Sequence, residues 1–372
     1  MEKLAKSFQS NRAVFLLMVF ICCTIAAGIL KIAATVILPF TIAVLLSFVM
    51  YPIVKGLDKI RCPRVVSILL VVVIIVSFLY LVGMVLFTSV MMIIAQYPRY
   101  EDRFIEVYIQ VASLFQLPFD EHLSFWENLW GQLGIRNFIR DYTFYFSNHI
   151  LKFISSAIIV IFFTVFILLE ASFFKQKLDI AFEKRSERIG KMGHDIMAQV
   201  TRYLTAKFFI SVANGLIFAV GFRLVGLDFA IVWGITQFLL NFIPNLGSIV
   251  AGVTISLFAL IQFWPNPVPI IIVVSIILAV NMILGNMLDP KIVGEHVGIS
   301  PLMILISLAA WGWIWGFTGM VLAVPMTVII KLVCENIPVL EPVAIMIGTR
   351  KSVLATKTVR EKQEAQENSI VI

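Results

Sequence analysis

Long apolar runs separated by short polar stretches set the pattern of this chain. Residues 13–30, 32–54, 65–95, 149–169, 205–225 and 270–288 are each apolar over most of their length. Each approaches or exceeds the ~20 residues that a helix needs to cross a hydrocarbon core of about 30 Å. The first two nearly abut at Lys31. The third is longer than a bilayer requires, so it tilts or projects beyond it.

Between residues 228 and 331 the pattern changes. One segment is apolar over 228–240, breaks at Asn241, Pro244, Asn245, Gly247 and Ser248, and is apolar again over 249–261. A second is apolar over 301–310, breaks across Trp311, Gly312, Trp313, Trp315, Gly316, Thr318 and Gly319, and is apolar again to Ile330. An arm of about a dozen residues makes ~18 Å of helix, little more than half of the core. The economical reading is a pair of re-entrant helical hairpins whose broken backbone is covered by protein or water. The expected fold is an all-α polytopic membrane protein with about six full transmembrane helices plus two re-entrant hairpins.

Charge then orients the spans. Residues 96–148 carry seven acids against four bases, net −3, interleaved with aromatics, which predicts amphipathic helices outside the membrane. Residues 171–202 carry seven bases against four acids, net +3, which predicts a cytoplasmic loop. With both termini cytoplasmic, span five plus hairpin one runs outward and span six plus hairpin two runs inward. That is the pattern of an inverted repeat about the midplane. The chain divides accordingly into three N-terminal spans (1–95), an extracytoplasmic region (96–148), span four with a charged segment (149–204), a transport core (205–333) and a cytoplasmic tail (334–372).

Composition excludes other classes. The chain is 60% hydrophobic and 14% charged, against roughly 45–50% apolar in soluble domains. The net charge of +7 lies in loops and implies no nucleic acid. No small-residue cleavage site follows the first run, which reads as a retained span. Cys22, Cys23, Cys62 and Cys334 form neither a disulfide framework nor a metal spacing. Metal-binding histidine pairs, nucleophile elbows and phosphate loops are missing from the sequence. The expectation is no enzyme, no cofactor and no direct ATP drive.

The candidate chemistry sits at the two breaks. Gln237, Asn241, Pro244, Asn245, Gly247 and Ser248 would form a small polar site from side chains, freed carbonyls and a half-helix terminus. The plainer alternative is that Asn and Ser only satisfy backbone that Pro244 and Gly247 release. Trp311, Gly312, Gly316, Thr318 and Gly319 would supply stacking surface and close backbone approach, or else an interfacial aromatic belt. Asp289, between span six and Pro290, is a possible coupling residue or simply a helix end. Asn214, Asn281 and Asn286 suit interhelical hydrogen bonds as well as ligand contacts.

The stretches Asn241-Phe-Ile-Pro-Asn-Leu-Gly-Ser248, Asp289-Pro-Lys-Ile-Val-Gly294, Ser300-Pro301 and the run from Trp311 to Pro325 resemble the autoinducer-2 exporter (AI-2E) family. The resemblance covers most of the chain. It implies a multi-pass secondary transporter of the cell inner membrane, assembled as a homo-oligomer, a pentamer. Some members are associated with export of the quorum signal autoinducer-2 and others with sodium/proton antiport. The expected function is export of a small polar solute. The rivals are an antiporter, which needs an acid inside a span, and a channel or non-transporting scaffold.

Overall fold

The computed structural model describes residues 24–85, 153–171, 186–288, 298–337 and 340–349, with a few scattered positions beside them. The expected extracytoplasmic region, most of the tail and Asp289 lie outside the described residues. The described residues are almost entirely helical: α1 (24–32), α2 (Ala34–Lys59), α3 (Arg64–Val85), α4 (Phe153–Ala171), α5 (Ser186–Val225), α6 (Ala230–Leu240), α7 (Leu246–Phe263), α8 (Pro267–Val280), α9 (Pro301–Asn336) and α10 (Glu341–Ile347). Seven of the described helices are long and apolar enough to cross a membrane. The only pairing of β type among these residues is a bridge between Ile299 and Gly348.

Local chemistry sets the ends of these helices. Asn266 caps α8 by accepting from the Val268 amide at 3.2 Å, and Ser300 caps α9 by accepting from Met303 at 3.3 Å. Both helices open on a proline, whose missing N–H is not needed there. Beyond Val280 the chain winds on as a π-helix over Asn281–Leu288, where span six was expected to continue as α-helix.

One expected loop is a helix. α5 is 40 residues long, about 60 Å, so the charged stretch from 186 to 202 is helical. From Val200 onward a buried stripe runs along it. Val200, Tyr203, Lys207, Ser211, Asn214, Phe218 and Phe222 recur every three or four residues, and no proline interrupts them.

The contacts divide the chain into two compact units, one of Met1–Phe48, Phe162–Ile196 and Ile299–Ile372, the other of Val49–Ile161 and Met197–Gly298. In the second unit α5 to α8 share a core of Phe218, Phe222, Ala251, Ile255, Val273 and Ile277. α8 packs on α7 here, so span six and hairpin one lie in the same compact unit.

Both broken segments fold back on themselves. Along a straight helix, residues 8 and 16 apart would be about 12 and 24 Å apart. Yet a Cβ built on Gly319 would lie 1.9 Å from the Trp311 carbonyl oxygen, and Ser307 donates to the Ala323 carbonyl at 3.0 Å. The reversal falls at Trp315 and Gly316, where Gly316 adopts φ 62°. α9 is therefore two antiparallel arms of ~14 and ~20 residues, roughly 21 and 30 Å long. Hairpin one reverses between α6 and α7. A Cβ on Gly247 would lie 1.7 Å from the Leu240 carbonyl oxygen, and Trp233 meets Phe258 at 5.2 Å between ring centroids. Its return arm, α7, is 18 residues long, longer than the dozen expected. The break consumes only a few residues, because Gly247 already lies inside the helix.

Candidate functional site

The polar centre of the second unit is built by a close helix crossing. A Cβ on Gly215 would lie 2.7 Å from the Gly234 carbonyl oxygen, and one on Gly234 would lie 2.6 Å from that of Gly215. With Ala219 alongside, the small residues bring α5 and α6 nearly into backbone contact. The crossing places the polar face of α5 against the end of α6. Asn214 Nδ2 donates to Asn241 Oδ1 at 3.2 Å, and Asn241 Nδ2 donates to Ser211 Oγ at 2.9 Å. All three side chains are buried.

Gln237, one turn before Asn241, is 0% exposed. Neither its Nε2 nor its Oε1 has a hydrogen-bond partner, and Asn214 Oδ1 also lacks one. An unsatisfied buried polar group costs about 1–3 kcal/mol, so each of these amides calls for a reason. Together they offer one NH2 donor and two carbonyl acceptors.

α5 serves as a ruler for depth. Ser211 and Asn214 lie 14 and 11 residues before its end at Val225, roughly 21 and 17 Å along the axis. The base of hairpin one is tied at that same end, where Gln262 accepts from the Asp228 amide at 2.8 Å and donates to the Gly226 carbonyl at 2.9 Å. The hairpin thus carries Asn241 about 20 Å away from its own base. Beside that base opens a cavity of about 420 Å³ lined by Met84, Thr88, Arg223, Asp228, Phe229 and Ile231.

The remaining first-break residues form the apex. Pro244 and Ser248 are half-buried, Gly247 is buried and Asn245 is exposed. Asn245 adopts φ 61° and gives α7 no side-chain cap. In the other unit, Trp311, Trp315 and Gly319 are buried, Gly312 and Thr318 are half-buried, and Trp313 and Gly316 are exposed. Trp311 and Trp315 stack with centroids 4.9 Å apart. Trp315 Nε1 donates to the Leu30 carbonyl at 3.0 Å, and Lys31 Nζ lies 4.0 Å from the centre of the Trp313 ring. Ser307 and Thr327 bond to each other and to the Ala323 carbonyl.

Ser211, and the buried Lys207 one turn before it on α5, carry no expectation from the sequence. Lys207 is 2% exposed, one turn before Ser211 on the same stripe. The signal was available, because Lys207, Ser211 and Asn214 fall at i, i+4 and i+7 and a base at the edge of a span is rarely idle.

Comparison with known proteins follows the same lines. A family model described as AI-2E family transporter matches residues 14–338. A protein of Borreliella burgdorferi whose name assigns it to transport is 31% identical over 89% of this chain and 90% of its own length. One from Haemophilus influenzae, also named for transport, is 30% identical over 87% of this chain and 93% of its own. The AI-2 transport protein TqsA of Escherichia coli is 27% identical over 86% and 91%.

Proposed function

The chain belongs to the AI-2E transporter family, and we propose that it moves a small hydroxylated solute past the buried amides of hairpin one. It is a multi-pass membrane transport protein. The observation that carries the finer reading is Gln237, fully buried with both amide atoms unpartnered beside the Asn241 network. A hydroxyl group both donates and accepts. A solute with neighbouring hydroxyls would satisfy Gln237 Nε2, Gln237 Oε1 and Asn214 Oδ1 at once. A tethered metal would demand carboxylate, His or Cys ligands instead, and no such cluster occurs among the described residues.

In this reading hairpin one enters from the outer face and stops short of the inner one, which supports a re-entrant role. The cavity at its base is the outer vestibule, and Asn245, Gly247 and Ser248 form the inner rim. Trp311, Gly312, Gly316, Thr318 and Gly319 of hairpin two are the other residues proposed to contact solute. The motif census supports secondary drive, with Asp289 as a helix end rather than the coupling group. The name of the relative TqsA makes autoinducer-2 the first solute to test, with export from the cytoplasm through the inner membrane by a homo-oligomer as the physiological setting.

Efflux of autoinducer-2 from proteoliposomes tests this. Gln237→Leu should lower the rate at least about 10-fold, the loss expected when a buried polar contact to ligand is removed, while the protein stays folded and oligomeric. Wild-type efflux in Gln237→Leu removes hairpin one as the site.

A further inference from the structure

We infer that Trp233 is a further solute contact, one helical turn from Gln237 toward the base of hairpin one, where its indole N–H donates to an oxygen of the same solute. The inference rests on the reading of the Gln237 and Asn241 cluster as the transport site and adds a specificity-determining donor to it. Its first support is the N–H itself. Trp233 Nε1 is enclosed and has no hydrogen-bond partner. A tryptophan near the end of a span ordinarily turns its N–H to the membrane interface, and a buried one usually finds a partner. Trp233 does neither, although its ring is held against Phe258 with centroids 5.2 Å apart.

The second support is register. The unpaired buried polar atoms of α6 belong to two side chains, Trp233 and Gln237. These fall at i and i+4 of one unbroken helix, about 40° apart around its axis and ~6 Å apart along it. Residues so spaced are neighbours on one helix face. Around the helix Gln237 lies between Trp233, which meets Phe258 of α7, and Gly234, which meets Gly215 of α5. Both side chains therefore belong to the seam where the three helices come together.

The third support is the approach. Phe229, Ala230, Ile231 and Val232 line the cavity beside the hairpin base, and Trp233 is the next residue. Phe258 meets the rings of both Phe229 and Trp233, at 5.7 and 5.2 Å. Along α6, Trp233 thus stands between the cavity and Gln237. An indole donates and does not accept, whereas an amide does both. Trp233 therefore asks for an acceptor, a hydroxyl, carbonyl or ring oxygen, beyond the group that pairs with Gln237. A solute with several oxygens satisfies both side chains, and one with a single hydroxyl leaves one of them unpaired.

Two changes at this position test the N–H, Trp233→Phe and replacement of Trp233 by its isostere benzothienylalanine, which exchanges the N–H for sulfur at nearly constant volume. Calorimetric titrations of full-length protein with autoinducer-2 and with ribose should give both variants a Kd about 3- to 10-fold higher than wild type. Without probe, the isostere should melt at or above the wild-type temperature, because it removes an unpaired group. An isostere that binds both probes as the wild type does overturns the inference, even if Trp233→Phe fails to fold. So does an isostere that melts below the wild type, which marks an N–H already bonded within the protein. Gln237→Leu is the control for the underlying reading. If it keeps wild-type affinity, the site is misplaced and the inference falls with it. If it loses affinity while the isostere keeps it, the site stands and Trp233 is not part of it. Wild-type protein that binds neither probe overturns both.

Discussion

Hairpin one and hairpin two are built by the same device and finished in opposite ways. Each packs its returning arm against the other arm through a glycine that leaves no room for a Cβ, Gly247 in one and Gly319 in the other. Hairpin two then satisfies its polar groups. Trp315 gives its N–H to Leu30, and Ser307 and Thr327 share the Ala323 carbonyl. Hairpin one keeps its own Gln237, and Asn214 of α5 that bonds Asn241, with unpaired amide atoms in a closed interior. Under the proposed function, the unpaired amides of hairpin one are the groups that a solute would complete.

The largest effects should come from breaking what the hairpins share. Gly319→Ala and Gly247→Ala each drive a methyl into backbone, and each should cost more than about 3 kcal/mol, beyond the usual range for overpacking. Gly312→Ala is the control. Its Cβ would meet the flexible Met320 side chain at 2.9 Å, so the cost should be near 1 kcal/mol. Thermal unfolding of the detergent-solubilised protein ranks the three, and equal losses would remove the reversal geometry as the cause.

A smaller effect should separate the hairpins by sign. Gln237→Leu replaces unsatisfied amide atoms with an apolar group of similar shape, so it should stabilise the protein by about 1–3 kcal/mol even as transport falls. Trp315→Phe removes one N–H and strands the Leu30 carbonyl, so it should destabilise by about 1 kcal/mol. A Gln237→Leu variant less stable than wild type would mean that the amide is already satisfied.

The smallest effects concern the two helix starts. Ser300→Ala loses the cap of α9 and should cost about 1 kcal/mol. Asn245 caps nothing and holds a positive φ, so Asn245→Gly should be neutral or stabilising by about 0.5 kcal/mol. Urea unfolding midpoints resolve both, and a cost for Asn245→Gly equal to that of Ser300→Ala would give Asn245 a structural bond that its geometry lacks.

The chain's apolar runs, read at the period of a helix, were enough to find both breaks and the spans from the second to the sixth, the first lying only partly within the described residues. That information is local, because a proline, a glycine or a charge in an apolar run changes helix formation wherever the run ends up. Gln237 and Asn241 were legible for the same reason, as polar residues in or just after the apolar arm of hairpin one. Charge counts gave the sign of the segment at 186–202 and missed its structure, since the helix there runs on unbroken into the span.

What only the tertiary structure decided was which polar groups meet and which stay unpaired. No spacing between 211 and 241 foretells that Ser211, Asn214 and Asn241 form one network, because their meeting depends on Gly215 and Gly234 letting two helices approach. Nor does sequence distinguish Trp315, whose N–H finds a carbonyl far away in the chain, from Gln237, whose amide finds nothing. Hydrogen-bond satisfaction is a property of packed neighbours. The sequence alone therefore determined a membrane protein with two broken segments, and packing decided which of the two was left needing a partner.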